Sequence, residues 1–428
     1  MECCKLKTQE DILVSIWCIT YNQKDYIRDT LEGFLMQKTL FRYEIYVFDD
    51  ASTDGTSDIV KEYAKKYPTI IFPLIMKENT FRGPNRHEIM RYLRRNLLKG
   101  KYIAWCEGDD YWIDCDKLQQ QVDYMESHDD CSLCMHNAYW VDCEKGTKVP
   151  ANPFECDGVG RKISYAEIIS QKHGHPPTAS FLYRREINYL DNLFFSGPIG
   201  DYPLQLAALT TGYIYYSSKI MSVYRWMTPN SYNKTMERDD GLFTYFSLGL
   251  IQFLVNYNDY TEYRYQEDVL NKICGFAYNF IENKGKSNTI KELISKCKYS
   301  LKIDTSVVEK LEMLRCQMVD EDYCEDYLLE FVARYKYIVV MGIGKYSSSI
   351  TKQLEANKVN FEGYVVSKKA VLENEFMGKT VWKLDQIPFE KEQVGVIVAI
   401  LPIDKKDLDI SLNRVGLLEQ SFNPFEWR

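Results

Sequence analysis

Hydrophobic positions in the first 110 residues alternate between short unbroken runs and helical spacing. Residues 12–20 form a run rich in β-formers (Val14, Ile16, Trp17, Ile19), which predicts a first core strand. Ile27, Leu31, Phe34 and Leu35 then recur at three- and four-residue intervals, as on one face of a helix. A second strand is predicted over 43–48. A helix follows it through Ile59, Val60, Tyr63, Ala64 and Tyr67, with Thr56 or Ser57 able to cap its start. A third strand is predicted over 70–76, a basic-faced helix over 88–98, and a short aromatic strand over 102–106 that Gly100 punctuates. Strand and helix alternate throughout, so this half reads as α/β with a mostly parallel sheet.

Farther along, 131–139 and 179–183 read as strands, and Leu204, Leu206, Ala207 and Leu209 as an apolar helix. From 236 to 332 the spacing is helical (Leu242, Phe246, Leu250, Phe253, then Ile273 and Phe276), and no chemistry is legible there. A new α/β unit begins near Arg334. Its predicted elements are a strand over 337–341, a glycine turn, a helix over 348–357, and strands over 361–366 and 395–401. The expected division is therefore residues 1–235, a helical region 236–333, and a small α/β domain 334–428.

At 428 residues the chain is too long for one ordinary domain, and 45% hydrophobic residues are ample for real cores. A net charge of -8 argues against a nucleic-acid partner. The 13 cysteines follow no small-domain framework and the first 11 residues are polar, which points to a reducing cytoplasm. The most apolar stretch, 242–257, carries Thr244, Ser247, Gln252 and Asn256 and reads as a buried helix rather than a span. Peripheral contact with the inner face of a membrane stays open.

Chemistry concentrates where the early strands end. The strand over 102–106 runs into Glu107, Asp109 and Asp110, and the strand over 43–48 runs into Asp49 and Asp50. Crowded carboxylates at strand ends fit a hard cation such as Mg²⁺ or Mn²⁺ arriving with phosphates, or a solvated acidic turn. Asp201 follows Gly200 and precedes an apolar helix, so it reads as a helix cap or as a general base. Lys101, Arg82 and Arg225 are cations that can meet phosphate. Cys131, Cys134 and His136 lack a second CxxC and read as core residues. His173 and His175 flank Gly174 and fit either acceptor contact or a plain loop.

Three stretches carry a resemblance: Val14 to Asn22, Phe48-Asp49-Asp50-Ala51-Ser52-Thr53-Asp54-Gly55-Thr56, and Glu107-Gly108-Asp109-Asp110-Tyr111-Trp112. With Gly200-Asp201-Tyr202-Pro203 and Val223-Tyr224-Arg225, they resemble the family 2 (GT-A fold) glycosyltransferases in residues, order and spacing. The resemblance implies that Thr20 and Tyr21 line a nucleoside pocket, with Asp50 at the base and Asp49 beside it. It implies that Asp109, with Asp110, holds a divalent ion, and that Asp201 is the catalytic base. Glu107 stands where the family usually has Asp, with the ribose or the metal in its reach. Arg225 matches a Tyr-Arg pair suited to diphosphate. The expected fold is therefore α/β: a GT-A domain, a helical middle region and a small Rossmann-like C-terminal domain.

These roles imply an inverting, metal-dependent transferase. It would move a sugar from a nucleotide sugar, a UDP-sugar above all, to a hydroxyl of a glycan or lipid-linked acceptor in cell-surface polysaccharide synthesis. The competing reading is a non-catalytic sugar-nucleotide-binding or scaffolding protein. The C-terminal unit resembles the Rossmann-like part of some bacterial sugar-modifying enzymes: Gly342 and Gly344 permit a tight turn, whereas Ser347 and Ser367 depart from a full dinucleotide site.

Overall fold

In the computed structural model, described residues are 12–81, 83, 86–156, 158–171, 174–190, 192–195, 197–229, 231–285, 288–297, 299, 301–319, 325–343, 345–366, 375–399 and 405–422. The chain divides into two compact units: Met1–Phe246 with Cys297–Leu301, and Ser247–Lys296 with Lys302–Arg428.

The first unit is built on β1 (Ile12–Thr20), whose neighbours are β2 (Arg42–Asp49) and β4 (Tyr102–Glu107), both parallel to it. β3 (Ile71–Ile75) extends the parallel part beyond β2. Helices α1 (Ile27–Leu35), α2 (Thr56–Lys66) and α3 (Arg86–Leu97) alternate with these strands, as the apolar spacing predicts. Val14, Ile16, Ile45, Val47 and Ala104 pack with Leu31 and Phe34 of α1 and Val60 of α2 in one core. Each large apolar side chain fully buried there contributes about 1.5–3 kcal/mol over an exposed one.

The four strands of the first 110 residues are parallel, as expected, and the sheet becomes mixed beyond them. Past β4 its order continues through β9 (Leu182–Arg184), β6 (Cys131–Asp142), β10 (Tyr213–Trp226) and β5 (Tyr111–Trp112). β9 runs antiparallel to both β4 and β6, and β5 antiparallel to β10, while β10 and β6 are parallel. The strand expected over 179–183 begins later, because Thr178–Ser180 first makes a tight helical turn. α4 (Lys117–Glu126) and α6 (Asp201–Thr211) complete the elements that frame the site. Between α4 and α6 lie β7 (Thr147–Pro150), β8 (Gly160–Ile163) and α5 (Tyr165–Ser170).

α7 (Tyr232–Arg238) and α8 (Asp240–Tyr260) begin the helical stretch. Leu242, Leu248, Leu250, Ile251 and Leu254 of α8 are buried, and among the described residues no helix is long and apolar enough to cross a membrane. In the second unit, α9 (Gln266–Phe280), α10 (Ile290–Lys296), α11 (Thr305–Val319) and α12 (Glu325–Val332) precede a separate sheet. Its strands are β11 (Tyr337–Met341), β12 (Gly363–Val366), β13 (Glu375–Phe376), β14 (Lys379–Lys383), β15 (Val394–Val398) and β16 (Ser421–Phe422). They lie in the order β13-β14-β12-β11-β15-β16, and every pair except β13 with β14 is parallel. α13 (Lys345–Ala356) follows β11 after Gly342, whose φ of 112° is left-handed. Gly344 and Ser367, on which part of the glycine-turn expectation rests, lie outside the described residues.

Candidate active site

Strand register gathers the predicted acids. Thr20 pairs across the ladder with Asp49, and Ile19 with Glu107, so β1, β2 and β4 end along one line. The loops that leave them are tied together. Asn22 accepts from the Thr53 N–H at 2.7 Å and donates its own N–H to Ser52 Oγ at 2.9 Å. Buried Thr20 donates to Gln23 Oε1 at 2.8 Å, and Tyr21 stays exposed at the rim. Asp49 holds its own turn, accepting from Ser52 N at 2.9 Å and from Ser57 Oγ at 2.5 Å. Asp50 accepts from Thr80 N at 2.7 Å, Thr80 Oγ1 at 2.8 Å and Phe81 N at 3.0 Å. A carboxylate has roughly four acceptor positions, so this grip on the 79–81 loop still permits one further donor.

The acidic loop after β4 is anchored from three sides. Gly108 donates to the Ile19 carbonyl at 2.8 Å, and a Cβ on it would lie 2.6 Å from Thr20 Oγ1 and from Gln23 Oε1. Only glycine fits that approach. Thr30 Oγ1 donates to the Asp110 carbonyl at 2.6 Å. Thr228 Oγ1 donates to Asp109 Oδ2 at 2.7 Å, and the Arg225 backbone N–H to Asp110 Oδ1 at 2.9 Å. Asp110 is fully buried, and its Oδ2 has no hydrogen-bond partner.

These acids resist ionisation together. Burial, then the charges of Asp109 and Asp201, push Glu107 up to about 8. Burial, then Asp109 and Glu107, hold Asp110 well above the ordinary carboxylate range. Burial raises Asp109, partly offset by the Thr228 hydroxyl. The Tyr224 hydroxyl registers all four acids: burial raises it first, then the charges of Asp110, Glu107, Asp109 and Asp201. The charge of Asp201 thus acts on Glu107 of the acidic loop as well as on Tyr224.

Asp201 opens α6, where the helix dipole favours a carboxylate. Gly200 before it lies against the Trp105 ring of β4; a Cβ there would be 2.6 Å from the ring edge. Asp201 Oδ1 accepts from the Tyr202 N–H at 2.7 Å, and Oδ2 meets His175 Nε2 at 2.6 Å. Burial works against its charge, but His175 and these hydrogen bonds hold its pKa below the ordinary value.

Arg225 is engaged within the protein. Its Nη1 donates to the Asp109 carbonyl at 2.8 Å, its Nη2 pairs with Asp29, and its guanidinium stacks over Tyr111 at 4.3 Å. Lys101 pairs with Glu126 at 2.8 Å. Arg82 and His173 lie outside the described residues. Cys131, Cys134 and His136 are buried in β6, and His136 Nδ1 is engaged with the Asn137 carbonyl at 2.8 Å. Thr228, which holds Asp109, and Asp29, which holds Arg225, had no legible signal, since a lone Thr in a loop or a lone Asp in the first turn of a helix is unremarkable. Trp140, Tyr224 and Trp226 form a half-buried aromatic group beside the pocket. Tyr224 and Trp140 are register partners, and the Trp140 ring lies 4.8 Å from Tyr224 and 5.1 Å from Trp226.

The donor set is all hard oxygen, and the unpartnered Asp110 Oδ2 is an acceptor lacking a cation or donor, so these residues fit a divalent ion. Among the described residues, Asp114, Cys115 and Asp116 bring their ligand atoms within 4.8 Å of one another, whereas Glu107, Asp109 and Asp110 do not close as such a trio. An ion held by one or two carboxylates and completed by phosphate oxygens needs no such trio. Asp114 already pairs with Lys219 at 2.7 Å.

Residues 15–189 match the family model for glycosyl transferase family 2. An uncharacterized protein of Mycobacterium tuberculosis is 35% identical over 214 residues, 50% of this chain and 58% of that protein. The Escherichia coli UDP-Glc:alpha-D-GlcNAc-diphosphoundecaprenol beta-1,3-glucosyltransferase WfaP is 38% identical over 115 residues, 27% of this chain and 42% of that one. The matched stretches thus span 58% and 42% of the length of these relatives. Among solved structures, S. aureus TarS 1-349 in complex with UDP-GlcNAc aligns with a TM-score of 0.47 at 18% identity, covering 73% of this chain and 83% of that one. Strand order and the family match agree: the fold is α/β GT-A, residues 15–189 match glycosyl transferase family 2, and a further C-terminal region follows.

Proposed function

We propose that the protein is an inverting, metal-dependent glycosyltransferase. It moves a sugar from a UDP-sugar to a hydroxyl of a glycan or lipid-linked acceptor in cell-surface polysaccharide synthesis. The observation that carries this reading is the register of β1, β2 and β4, which ends Thr20 beside Asp49 and Ile19 beside Glu107, with Asp109 and Asp110 in the loop that follows and Asp201 close enough for its charge to act on Glu107. The relatives' names support the donor and acceptor classes.

Thr20, Tyr21 and Asp50 line the nucleoside side, with Asp49 bracing the turn beside them and Glu107 facing the ribose. Asp109 and Asp110 hold Mn²⁺ or Mg²⁺, which supplies charge screening for the diphosphate. Arg225 acts by fixing the Asp109 carbonyl and the Asp110 carboxylate. The acceptor hydroxyl approaches from Asp201. Its oxygen forms the new bond to the sugar carbon, its proton passes to the Asp201 carboxylate, and the sugar–phosphate electron pair leaves with UDP. Attack opposite the departing group inverts the anomeric centre, as at other oxocarbenium-like centres. Trp140, Tyr224 and Trp226 offer aromatic faces on which a sugar can lie.

We assign residues 1–235 to catalysis, 236–333 to a helical region, and 334–428 to a Rossmann-like unit, the last on the strength of its parallel strand order. Free cysteines such as Cys18, Cys106 and Cys134 fit work in a reducing cytoplasm at the inner membrane face.

The test is UDP release from a panel of UDP-sugars with Mn²⁺, with and without acceptor glycans. Asp201→Asn should abolish release while UDP binding, followed by calorimetry, persists. Near-wild-type release by Asp201→Asn would remove Asp201 from the mechanism.

A further inference from the structure

His175 lies 26 positions before Asp201, in a loop that the reaction as described does not use. Its Nε2 is 2.6 Å from Asp201 Oδ2. Its other nitrogen, Nδ1, faces two amide groups: Gln171 Nε2 at 3.1 Å, from the end of α5, and Gln205 Nε2 at 3.4 Å, one turn along α6 from Asp201. Both amide nitrogens are donors, so Nδ1 must offer its lone pair and Nε2 must carry the proton. The ring edge also meets Phe181, with centroids 6.5 Å apart, which fixes its plane.

We propose that His175 is a positioning residue for Asp201. Two glutamines hold it in the Nε2–H tautomer, so that it donates to the carboxylate, fixes its orientation and keeps it ionised. This rests on the reading of Asp201 as the base.

The arrangement reverses the familiar one in which a carboxylate orients an imidazole. Here the imidazole orients the carboxylate. Asp201 accepts from the Tyr202 amide on one oxygen and from His175 on the other, and it takes the acceptor's proton on a remaining lone pair. The imidazole cannot take that proton onward through Nδ1, because two amide N–H groups already point there. The proton therefore stays on the carboxylate until solvent or product removes it. Other ionisable groups facing Asp201 are Glu107, Tyr224 and Tyr232, each of which feels its charge. Glu107 opposes ionisation of Asp201, so the His175 donor acts against a standing repulsion.

The test compares His175→Phe, which keeps a flat ring, with His175→Gln, whose amide nitrogen reaches about as far as Nε2. The probe is UDP release from UDP-glucose and UDP-N-acetylglucosamine with Mn²⁺ and water as acceptor, measured across pH. Losing the donor frees the Asp201 carboxylate to turn away from the acceptor hydroxyl, so kcat should fall about tenfold in His175→Phe across the pH profile. KM for the donor should stay unchanged, and His175→Gln should recover most of the loss. Superimposed profiles for wild type and His175→Phe, with Asp201→Asn inactive, would overturn the proposal and leave the base assignment standing. Full activity in Asp201→Asn would overturn the base assignment itself.

A second readout needs no turnover. The chain has five histidines, so the imidazole proton–nitrogen correlations of labelled protein can be assigned by the signal lost in His175→Gln. The Nε2–H tautomer is expected. An Nδ1–H tautomer overturns the proposal whatever the activity.

Discussion

Replacing Arg225 by Met separates two roles for this side chain. If Arg225 gripped the diphosphate, its loss would lower donor affinity and leave the fold intact. The structure commits it inward: its side chain is 13% exposed, and it donates to the Asp109 carbonyl. Losing a charge-assisted hydrogen bond there costs about 1.5–3 kcal/mol. Losing the stack on Tyr111 costs about 0.5–1 kcal/mol more. The pair with Asp29 adds less than about 1 kcal/mol, since Asp29 is 55% exposed and returns to water easily. The expected total is about 2–5 kcal/mol. Urea unfolding followed by tryptophan fluorescence reads it directly, because Trp112, Trp140 and Trp226 lie on β5, β6 and β10. Asp29→Asn is the control and should shift the midpoint little. A stability change under about 0.5 kcal/mol in Arg225→Met, with UDP affinity lost, would refute the inward role.

Lys117 of α4 is fully buried, hydrogen-bonded to Gln121 at 2.7 Å, and pushed down to about 7 by burial. The unfolded chain binds the extra proton above that pH, so stability of the wild type relative to Lys117→Met should rise as pH increases from 7. The slope approaches about 1.4 kcal/mol per pH unit. Taking the difference between the two proteins removes the opposite trend from Glu107, and a difference flat in pH would mean that Lys117 keeps its charge in the fold, contradicting the lowered pKa. Gly108→Ala places a Cβ 2.6 Å from Thr20 and Gln23, so it should cost about 1–3 kcal/mol and displace the acidic loop; unfolding and calorimetric UDP binding should both respond.

Much of this site is legible in sequence because strand ends carry it. A β-forming run that stops in Asp49-Asp50 or Glu107-Gly108-Asp109-Asp110 marks both an element and its chemistry. What supports those acids is not legible. Arg225 meets Asp29 across 196 positions, and Thr228 reaches Asp109 across 119. No local pattern records such pairings. The mixed character of the sheet escaped for a related reason. β9 has three residues and β5 two, too few to show alternation, and their direction is set by partners far away in the chain. His175 looked like an ordinary loop residue because the glutamines that set its tautomer come from two different helices.

The alignment of β1 with β2 and β4 has a consequence for the fate of faulty copies. Because side chains alternate, sliding β1 or β4 by one position would carry Val14, Ile16 or Ala104 to the opposite face, which is packed too and shaped for other residues, as it pulled an acid out of line. A chain that errs here cannot persist as a sound but inert body. It declares the mistake as a poorly packed core, and quality control in the cell can remove it without ever testing for activity.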